Sequence, residues 1–332
     1  MVFLNASQRY DSLIEWLEDT LNKPIQSIKS ASNDASFRRY YRVHYDDHRT
    51  CIAVDSPPEY ENGAKFVAIA TILEKMGIRV PRIKAKDLSK GFFAVTDLGN
   101  ETMLNAILSK KIKTDHLYKN AMNILLKIQV KGLECQQNLP LYSKQDLLDE
   151  MQLFINWYCF HHLQISPEIM ADFDFKKMFN NLADHALSQK NVFVHRDFHS
   201  RNIILSADAE LGVLDFQDAA SGPITYDLVS LLKDCYIKWP DNQIDRWIDY
   251  YYQRLVKNDL VNVDINQFKY DFDLMGIQRH LKAIGIFCRL NYRDGKENYL
   301  LDIPRILEYV EKTAKDYPLL NPLQQFMCKH VF

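Results

Sequence analysis

The sequence predicts an α+β chain in two lobes, a small β-rich N-terminal lobe over residues 1–98 and a larger, mainly helical lobe over 99–332. Three observations carry that expectation. At 332 residues the chain is long enough for one two-lobed molecule or two domains with a substantial core. Strand-like runs at 25–30, 39–45, 51–55 and 91–95 crowd the first part, and helical spacing dominates from residue 101 onward. Between them, Gly91-Phe92-Phe93-Ala94-Val95-Thr96-Asp97-Leu98-Gly99 is an apolar strand ending in a short polar segment with glycine, which suits the connection between lobes.

Leu13, Ile14, Trp16, Leu17 and Leu21 recur at helical spacing over 7–22, an amphipathic helix whose apolar face packs on the small lobe. Ile25–Ser30 and Arg39–Tyr45 then read as two strands around Ala31-Ser32-Asn33-Asp34-Ala35-Ser36-Phe37. With only 10 glycines in the chain, no glycine-rich loop is available to hold phosphate there. A tight turn of Ser32, Asn33, Asp34, Ala35 and Ser36 can still present backbone N–H groups to an anion, since Ser and Asn side chains support turns and left-handed geometry. A hairpin turn without ligand is the alternative. Cys51–Asp55 is the third strand, followed by Ser56-Pro57-Pro58, a helix from Glu61 to Met76 closed by Gly77, and a strand near Ile83.

In the second lobe, helices are expected over 101–109 and 114–131, the latter stopped by Gly132, with Leu108, Leu125, Leu126 and Ile128 marking apolar faces. Ser143 with Asp146 or Gln145 starts a helix to about 160 that carries Met151, Phe154, Ile155, Trp157 and Tyr158. That aromatic stripe reads as core in preference to a face stacked on a sugar ring. His161 and His162 are adjacent on the helix and so diverge, which argues against a metal pair. Further helices follow over 167–188, 225–238 with Pro223 and Thr225 at its start, 243–258, 264–291, 302–314 and 319–330. The 264–291 helix carries Arg279, His280, Lys282 and Arg289, and Arg289, set between Cys288 and Leu290 in an apolar run, is the first choice for an inward-facing arginine.

Chemistry concentrates in one stretch. A β-branched run delivers the chain to His195-Arg196-Asp197, four residues separate Asp197 from Asn202, and two more apolar runs lead to Asp215-Phe216-Gln217-Asp218. Phosphoryl transfer to a hydroxyl needs a carboxylate that accepts the hydroxyl proton and oxygen ligands for Mg²⁺ on the phosphates; Asp197, Asn202 and Asp215 are of those types. Mg²⁺ takes hard oxygen donors and keeps several waters, so one amide, one carboxylate and the phosphates of ATP suffice. Read alone, each aspartate is also a common strand-end turn residue; the loop, the Asn at its offset and the second Asp together favour catalysis.

His195-Arg196-Asp197 with Asn202, and Asp215-Phe216, match the catalytic loop and metal segment of protein-kinase-like phosphotransferases. His199 in the loop, Asp-Phe-Gln-Asp at 215–218 and Gly222-Pro223-Ile224-Thr225-Tyr226-Asp227-Leu228 resemble the aminoglycoside/choline kinase-like superfamily. Within it, HRDFHSRNIIL and GVLDFQDAASGPITYDLVSLLKDCYIKW look closest to the anomeric kinases of N-acetylmuramate and N-acetylglucosamine, a likeness that runs through nearly the whole chain. The resemblance implies a two-lobed protein-kinase-like fold with ATP between the lobes and Mg²⁺ on Asn202 and Asp215. Asp197 would be the base, and the nucleotide would lie against Ser32, Asn33, Asp34, Ala35, Ser36, Arg38, Thr96, Asp97 and Leu98. The acceptor sugar would meet Asp197, Asp218 and Arg289, the product would be a sugar 1-phosphate of peptidoglycan recycling, and Asp227 would be structural. The sequence departs from the kinase pattern at Asp55, where the third strand would carry a phosphate-pairing lysine. Arg38, Arg39 or Lys65 could replace that cation, Lys65 by a swapped pair with the acid on the strand and the base on the helix.

Composition narrows the partners. With 41 basic and 43 acidic residues the net charge of −2 offers no footprint for nucleic acid or membrane. Six scattered cysteines without a C-x-x-C pair fit reduced thiols in a cytoplasmic protein, and no leader or long apolar run is expected. Taken with the resemblance, the expectation is a monomer acting on ATP and an amino sugar. A kinase of another small hydroxyl compound, of aminoglycoside or choline type, and a non-catalytic nucleotide-binding scaffold remain as rivals; a protein kinase fits less well, for lack of an Ala-Pro-Glu segment after Asp215.

Overall fold

The computed structural model describes residues 6–32, 38–110 and 112–332. In chain order the elements are α1 (Ala6–Leu21), β1 (Ile25–Ser32), β2 (Arg39–Tyr45), β3 (Thr50–Asp55), α2 (Gly63–Lys75), β4 (Ile83–Asp87), β5 (Phe92–Thr96) and β6 (Glu101–Thr102). Then come α3 (Met103–Leu108), α4 (Thr114–Gly132), α5 (Lys144–Leu153), α6 (Pro167–Met170), α7 (Phe175–Ser188), β7 (Asn191–Val194), β8 (Ile203–Leu205), β9 (Leu211–Val213) and β10 (Ala220–Pro223). The chain ends in α8 (Tyr226–Leu232), α9 (Asp241–Lys257), α10 (Ile265–Asp294), α11 (Ile303–Asp316) and α12 (Asn321–His330). The fold is protein-kinase-like, with the sheet early and the helices late. Among the described residues no helix is long and apolar enough to cross a membrane.

Two compact units emerge, one running to Glu101 and taking in Ile203–Asp218, the other comprising Thr102–Asn202 and Ala219–Phe332. The sequence put all of 99–332 in the second lobe, whereas 203–218 groups with the first. The reason is local: the β8–β9 hairpin is tied by Val213 N–H donating to Arg79 O at 2.8 Å and by Ser206 Oγ donating to Leu98 O at 3.1 Å.

In the first unit an antiparallel sheet runs in the order β1-β2-β3-β5-β4. Alternation along β2 and β3 turns Val43, Tyr45, Cys51 and Ala53 to one face, where Leu13 and Leu17 of α1 close a core with Phe92 and Ala94. The opposite face buries Val54, Phe93 and Val95 against Phe66 and Val67 of α2. Asn62 caps α2, its side chain accepting from Lys65 N–H at 3.2 Å.

The second unit is built around α10, thirty residues long and capped at its start by Asp264 and at its end by Gly295 at φ 67°. Gly285 on this helix lets α5 approach so closely that a Cβ there would lie 2.4 Å from Leu153 C. Gly132 is likewise a contact residue. It is the last residue of α4, close to the stop read from the sequence, and a Cβ on it would meet Phe193 Cβ at 2.5 Å. The helix begun by the Ser143/Asp146 capping box passes from α5 into a π-helix over Phe154–His162, burying Met151, Phe154 and Tyr158 as core. The expected 167–188 helix is interrupted between α6 and α7, each starting on its own cap, Ser166 and Asp174. Leu108, expected on an apolar face, is 65% exposed because α3 ends there.

Candidate active site

The second unit holds the catalytic-loop residues. Val192–Val194 are fully buried in β7, paired with β10, and this strand fixes where the loop starts. Arg196 takes φ 77°, a conformation that costs a non-glycine residue about 1 kcal/mol or more. Asp227 at the start of α8 holds it there, accepting from His195 N–H at 2.6 Å and Arg196 N–H at 3.0 Å. Further on, Asp234 accepts from Ser200 N–H at 2.9 Å, so a second aspartate pins the far side of the loop. Asn202 Nδ2 donates to Asp197 O at 3.1 Å, tying the two ends of the loop together.

Charge around Asp197 is dense. Burial opposes ionisation, but Lys282, His199 and Arg279 around the carboxyl keep it below the usual carboxylate range. His199 goes the other way: burial lowers its pKa in spite of Asp234 and Asp197, so the imidazole is neutral at pH 7. Burial pushes Asp227 up to about 7 against the two backbone N–H groups it accepts.

Glu150 of α5 organises the cations. It accepts from Arg196 and from Tyr142 Oη, from Lys282 Nζ at 2.8 Å and from Gln278 Nε2 at 3.0 Å. Burial raises its pKa, yet Lys282 and Arg196 outweigh this and hold it below the ordinary value. Arg196 also lies 4.8 Å from the Tyr142 ring centroid, stacked as well as paired. Glu150 was not singled out from the sequence. The signal was present, since it shares a helical face with Leu147 and Met151, both fully buried.

The first unit holds the other candidates. Asp215 follows β9 with φ 60°, and Gln217 Nε2 donates to its Oδ1 at 2.8 Å. Arg38, buried, donates to Glu61 Oε2 at 2.7 Å. Burial disfavours its charge, but Tyr40, Glu61 and Asp215 together hold the guanidinium pKa above the ordinary value. A cation just before β2, an acid leading into α2 and the metal-segment aspartate are therefore neighbours in this unit.

Asp55 does a different job from the one the sequence left open. It is 1% exposed and accepts from Arg9 Nε of α1 at 2.9 Å, with Arg39 at 3.9 Å. The swapped pair with Lys65 is thus replaced by a pair with Arg9, while Lys65 reaches Asp218 at 3.8 Å with both side chains about half exposed.

Of the expected nucleotide residues, Asn33, Asp34, Ala35 and Ser36 lie outside the described residues, as does the Ser32 side chain; the Ser32 backbone ends β1 opposite Tyr40. Thr96 Oγ1 accepts from Arg82 N–H at 2.8 Å. Asp97 receives Arg42 through Nε at 2.6 Å and Nη2 at 2.9 Å, and Gly99 N–H at 2.9 Å; these donors outweigh burial and lower its pKa. Its carboxylate therefore shapes the turn. Arg289 is partly buried, its pKa lowered by burial and by Arg293, and its Nε lacks a partner. The cations in electrostatic reach of Asp197 are instead Lys282 and Arg279, about two and three helical turns before Arg289 on α10. Linear runs hid this, because the buried face of a helix recurs every three to four residues.

No group of three or more His, Cys, Asp or Glu residues able to hold a metal occurs among the described residues. His162 instead shares a hydrogen bond with Tyr292 Oη at 2.9 Å, and His161 stacks on Trp157.

Comparison with known proteins gives the same direction. The model of the phosphotransferase enzyme family matches residues 27–259. An N-acetylmuramate/N-acetylglucosamine kinase of Pseudomonas putida is 38% identical over 97% of this chain and 96% of its own length. The kinase so named in Neisseria meningitidis is 35% identical over 98% and 96%. Among solved structures, a choline kinase from Streptococcus pneumoniae superposes with a TM-score of 0.64 at 13% identity, covering 91% of this chain and 99% of that one. An ADP-bound aminoglycoside phosphotransferase superposes at 0.61 and 14% identity, over 93% and 99%. At such identities the likeness to these two is one of fold. The match over most of the chain, together with full-length relatives above 30% identity, means that the chain belongs to the phosphotransferase enzyme family.

Proposed function

We propose that the protein is an ATP-dependent sugar kinase that phosphorylates the anomeric C1 hydroxyl of N-acetylmuramate, N-acetylglucosamine or both, and that it serves cell-wall recycling. The observation that carries the acceptor class is the full-length likeness, at 35–38% identity, to kinases named for these two sugars. The charge around Asp197 supports it. Arg279, which has no carboxylate within ion-pair distance among the described residues, disfavours a polycationic aminoglycoside and tolerates a neutral or anionic sugar.

In this reading Asp197 aligns the acceptor hydroxyl and takes its proton. An anomeric hydroxyl is more acidic than an ordinary alcohol, so a carboxylate held below the usual range is still an adequate base. Asn202 and Asp215 would hold Mg²⁺, to which an amide oxygen and a carboxylate are suited donors. When bound, the ion neutralises charge on the phosphates. Arg38, positioned by Glu61, supplies the cation that the third strand lacks. Backbone groups of Thr96, Asp97 and Leu98 contact the base, and the turn around Ser32 to Ser36 contacts the phosphates. The reading has the protein act as a cytoplasmic monomer.

The test is a panel of acceptors in a coupled ADP-release assay with ATP and Mg²⁺. Turnover with N-acetylmuramate or N-acetylglucosamine far above that with choline and aminoglycosides is expected. Preference for choline or an aminoglycoside would replace the acceptor assignment and leave the phosphotransferase chemistry in place.

A further inference from the structure

Among the described residues, buried cations come with their anions, with one exception. Among the described arginines and lysines under 9% exposed, Arg38 pairs with Glu61 at 2.7 Å and Lys233 with Asp273 at 2.7 Å. Arg279 of α10, 5% exposed, has no carboxylate within ion-pair distance. Among the described residues its one hydrogen-bonding contact is Cys235 Sγ at 3.8 Å, and its Nε has none.

Its neighbours do not share that condition. Gln278 and Lys282 are engaged by Glu150, and His280 is hydrogen-bonded to Lys233 O at 2.9 Å. Arg305, which reaches the same Cys235 through its carbonyl at 2.7 Å, is held by Asp302 at 2.6 Å. The thiol supplies no counter-charge, because burial pushes Cys235 up to about 11. A guanidinium buried without an anion is costly. Asp197 and Asp234 compensate Arg279 only from a distance, through the field they contribute.

We propose that Arg279 is the specificity-determining residue for an anionic acceptor, its guanidinium receiving the carboxylate of a sugar whose reacting hydroxyl lies at Asp197. The assignment rests on the sugar-kinase reading above and deepens it. A planar fork of donors suits a carboxylate bidentately. N-acetylmuramate carries its lactyl carboxylate on O3, two ring carbons from the anomeric centre, so an acid group and the reacting hydroxyl reach one small region together. N-acetylglucosamine lacks that group and leaves Arg279 as it stands. The competing role is that of a mere counter-charge for Asp197 and Asp234, which would treat both sugars alike.

The experiment compares kcat/KM for N-acetylmuramate and N-acetylglucosamine in the wild type, Arg279→Gln and Arg279→Lys. With it goes the methyl ester of N-acetylmuramate on the wild-type enzyme, which removes the carboxylate charge without touching the fold. In Arg279→Gln the ratio of N-acetylmuramate to N-acetylglucosamine efficiency should fall about 10- to 100-fold, mainly through the KM for N-acetylmuramate, with partial recovery in Arg279→Lys. The ester should lose a similar factor against the acid. Equal losses for the two sugars in Arg279→Gln, or an ester as good as the acid, would overturn the assignment while leaving the kinase reading intact. A wild type that phosphorylates neither sugar would overturn that reading itself, and the assignment with it.

Discussion

Arg38 donates to Glu61 at 2.7 Å, and the pair sits beside Asp215 in the unit that carries the antiparallel sheet. A cation from the segment opening one strand and an acid leading into α2 thus stand where the third strand offers only Asp55, itself closed off by Arg9. Loss of a charge-assisted contact to phosphate costs about 1.5–3 kcal/mol. Arg38→Ala should therefore raise the KM for ATP by about tenfold or more, and Glu61→Gln should act in the same direction to a smaller extent. Lys65→Ala, at a half-exposed side chain, should change it far less. Steady-state kinetics with ATP varied at saturating sugar decides; an unmoved KM in Arg38→Ala removes Arg38 from phosphate binding.

Glu150 is the common partner of Arg196 and Lys282. Its replacement by Ala strands two partly buried cations, and leaving such donors unsatisfied costs about 1–3 kcal/mol. Denaturant melts should show a loss of that order. The pH dependence has a definite sign. Because the folded-state pKa of Glu150 lies below its ordinary 4.5, its stabilisation is present above pH 4.5 and lost as pH falls through the lower folded value. The acid-side decline should be shallower in Glu150→Ala; an identical decline would mean that other carboxylates dominate it.

Asp197→Asn should lower kcat by about 10²–10⁴-fold while ATP still binds, since the amide cannot take the hydroxyl proton. Lys282 is the leading cation that keeps Asp197 ionised against burial. Lys282→Met should accordingly shift the acid limb of the kcat/KM profile to higher pH. A profile superimposable on that of the wild type would show that Lys282 does not set the charge on Asp197.

Gly285 makes room for α5 against α10, where a Cβ would lie 2.6 Å from Leu153 Cβ as well as close to its backbone. Gly285→Ala forces the helices apart and should destabilise the protein by about 1–3 kcal/mol, helix propensity notwithstanding. Thermal melting measures it, and a melting temperature at or above that of the wild type would contradict the close approach.

The kinase-like sheet and helices were legible in the sequence because strand alternation and helical spacing are local. The same holds for the 195–202 loop, whose spacing is its own signature. Glu61 and Arg9 were not legible as partners of Arg38 and Asp55, since each pair joins residues at least 23 positions apart and only the folded sheet brings them together. Arg289 drew attention by breaking an apolar run along the chain, whereas α10 is buried all round from Leu274 to Leu281, which is where Arg279 lies. Gly132 illustrates the limit of turn signals: its small size serves Phe193 across a helix–strand contact, which no local pattern reveals.

The central claim is phosphorylation of a specific oxygen, and the product reports it directly. With N-acetylmuramate or N-acetylglucosamine, ATP and Mg²⁺, the NMR spectrum of the product should show the anomeric carbon and its proton coupled to phosphorus. Phosphorus coupled to any other ring or exocyclic position, or a sugar returned unmodified, would contradict the account.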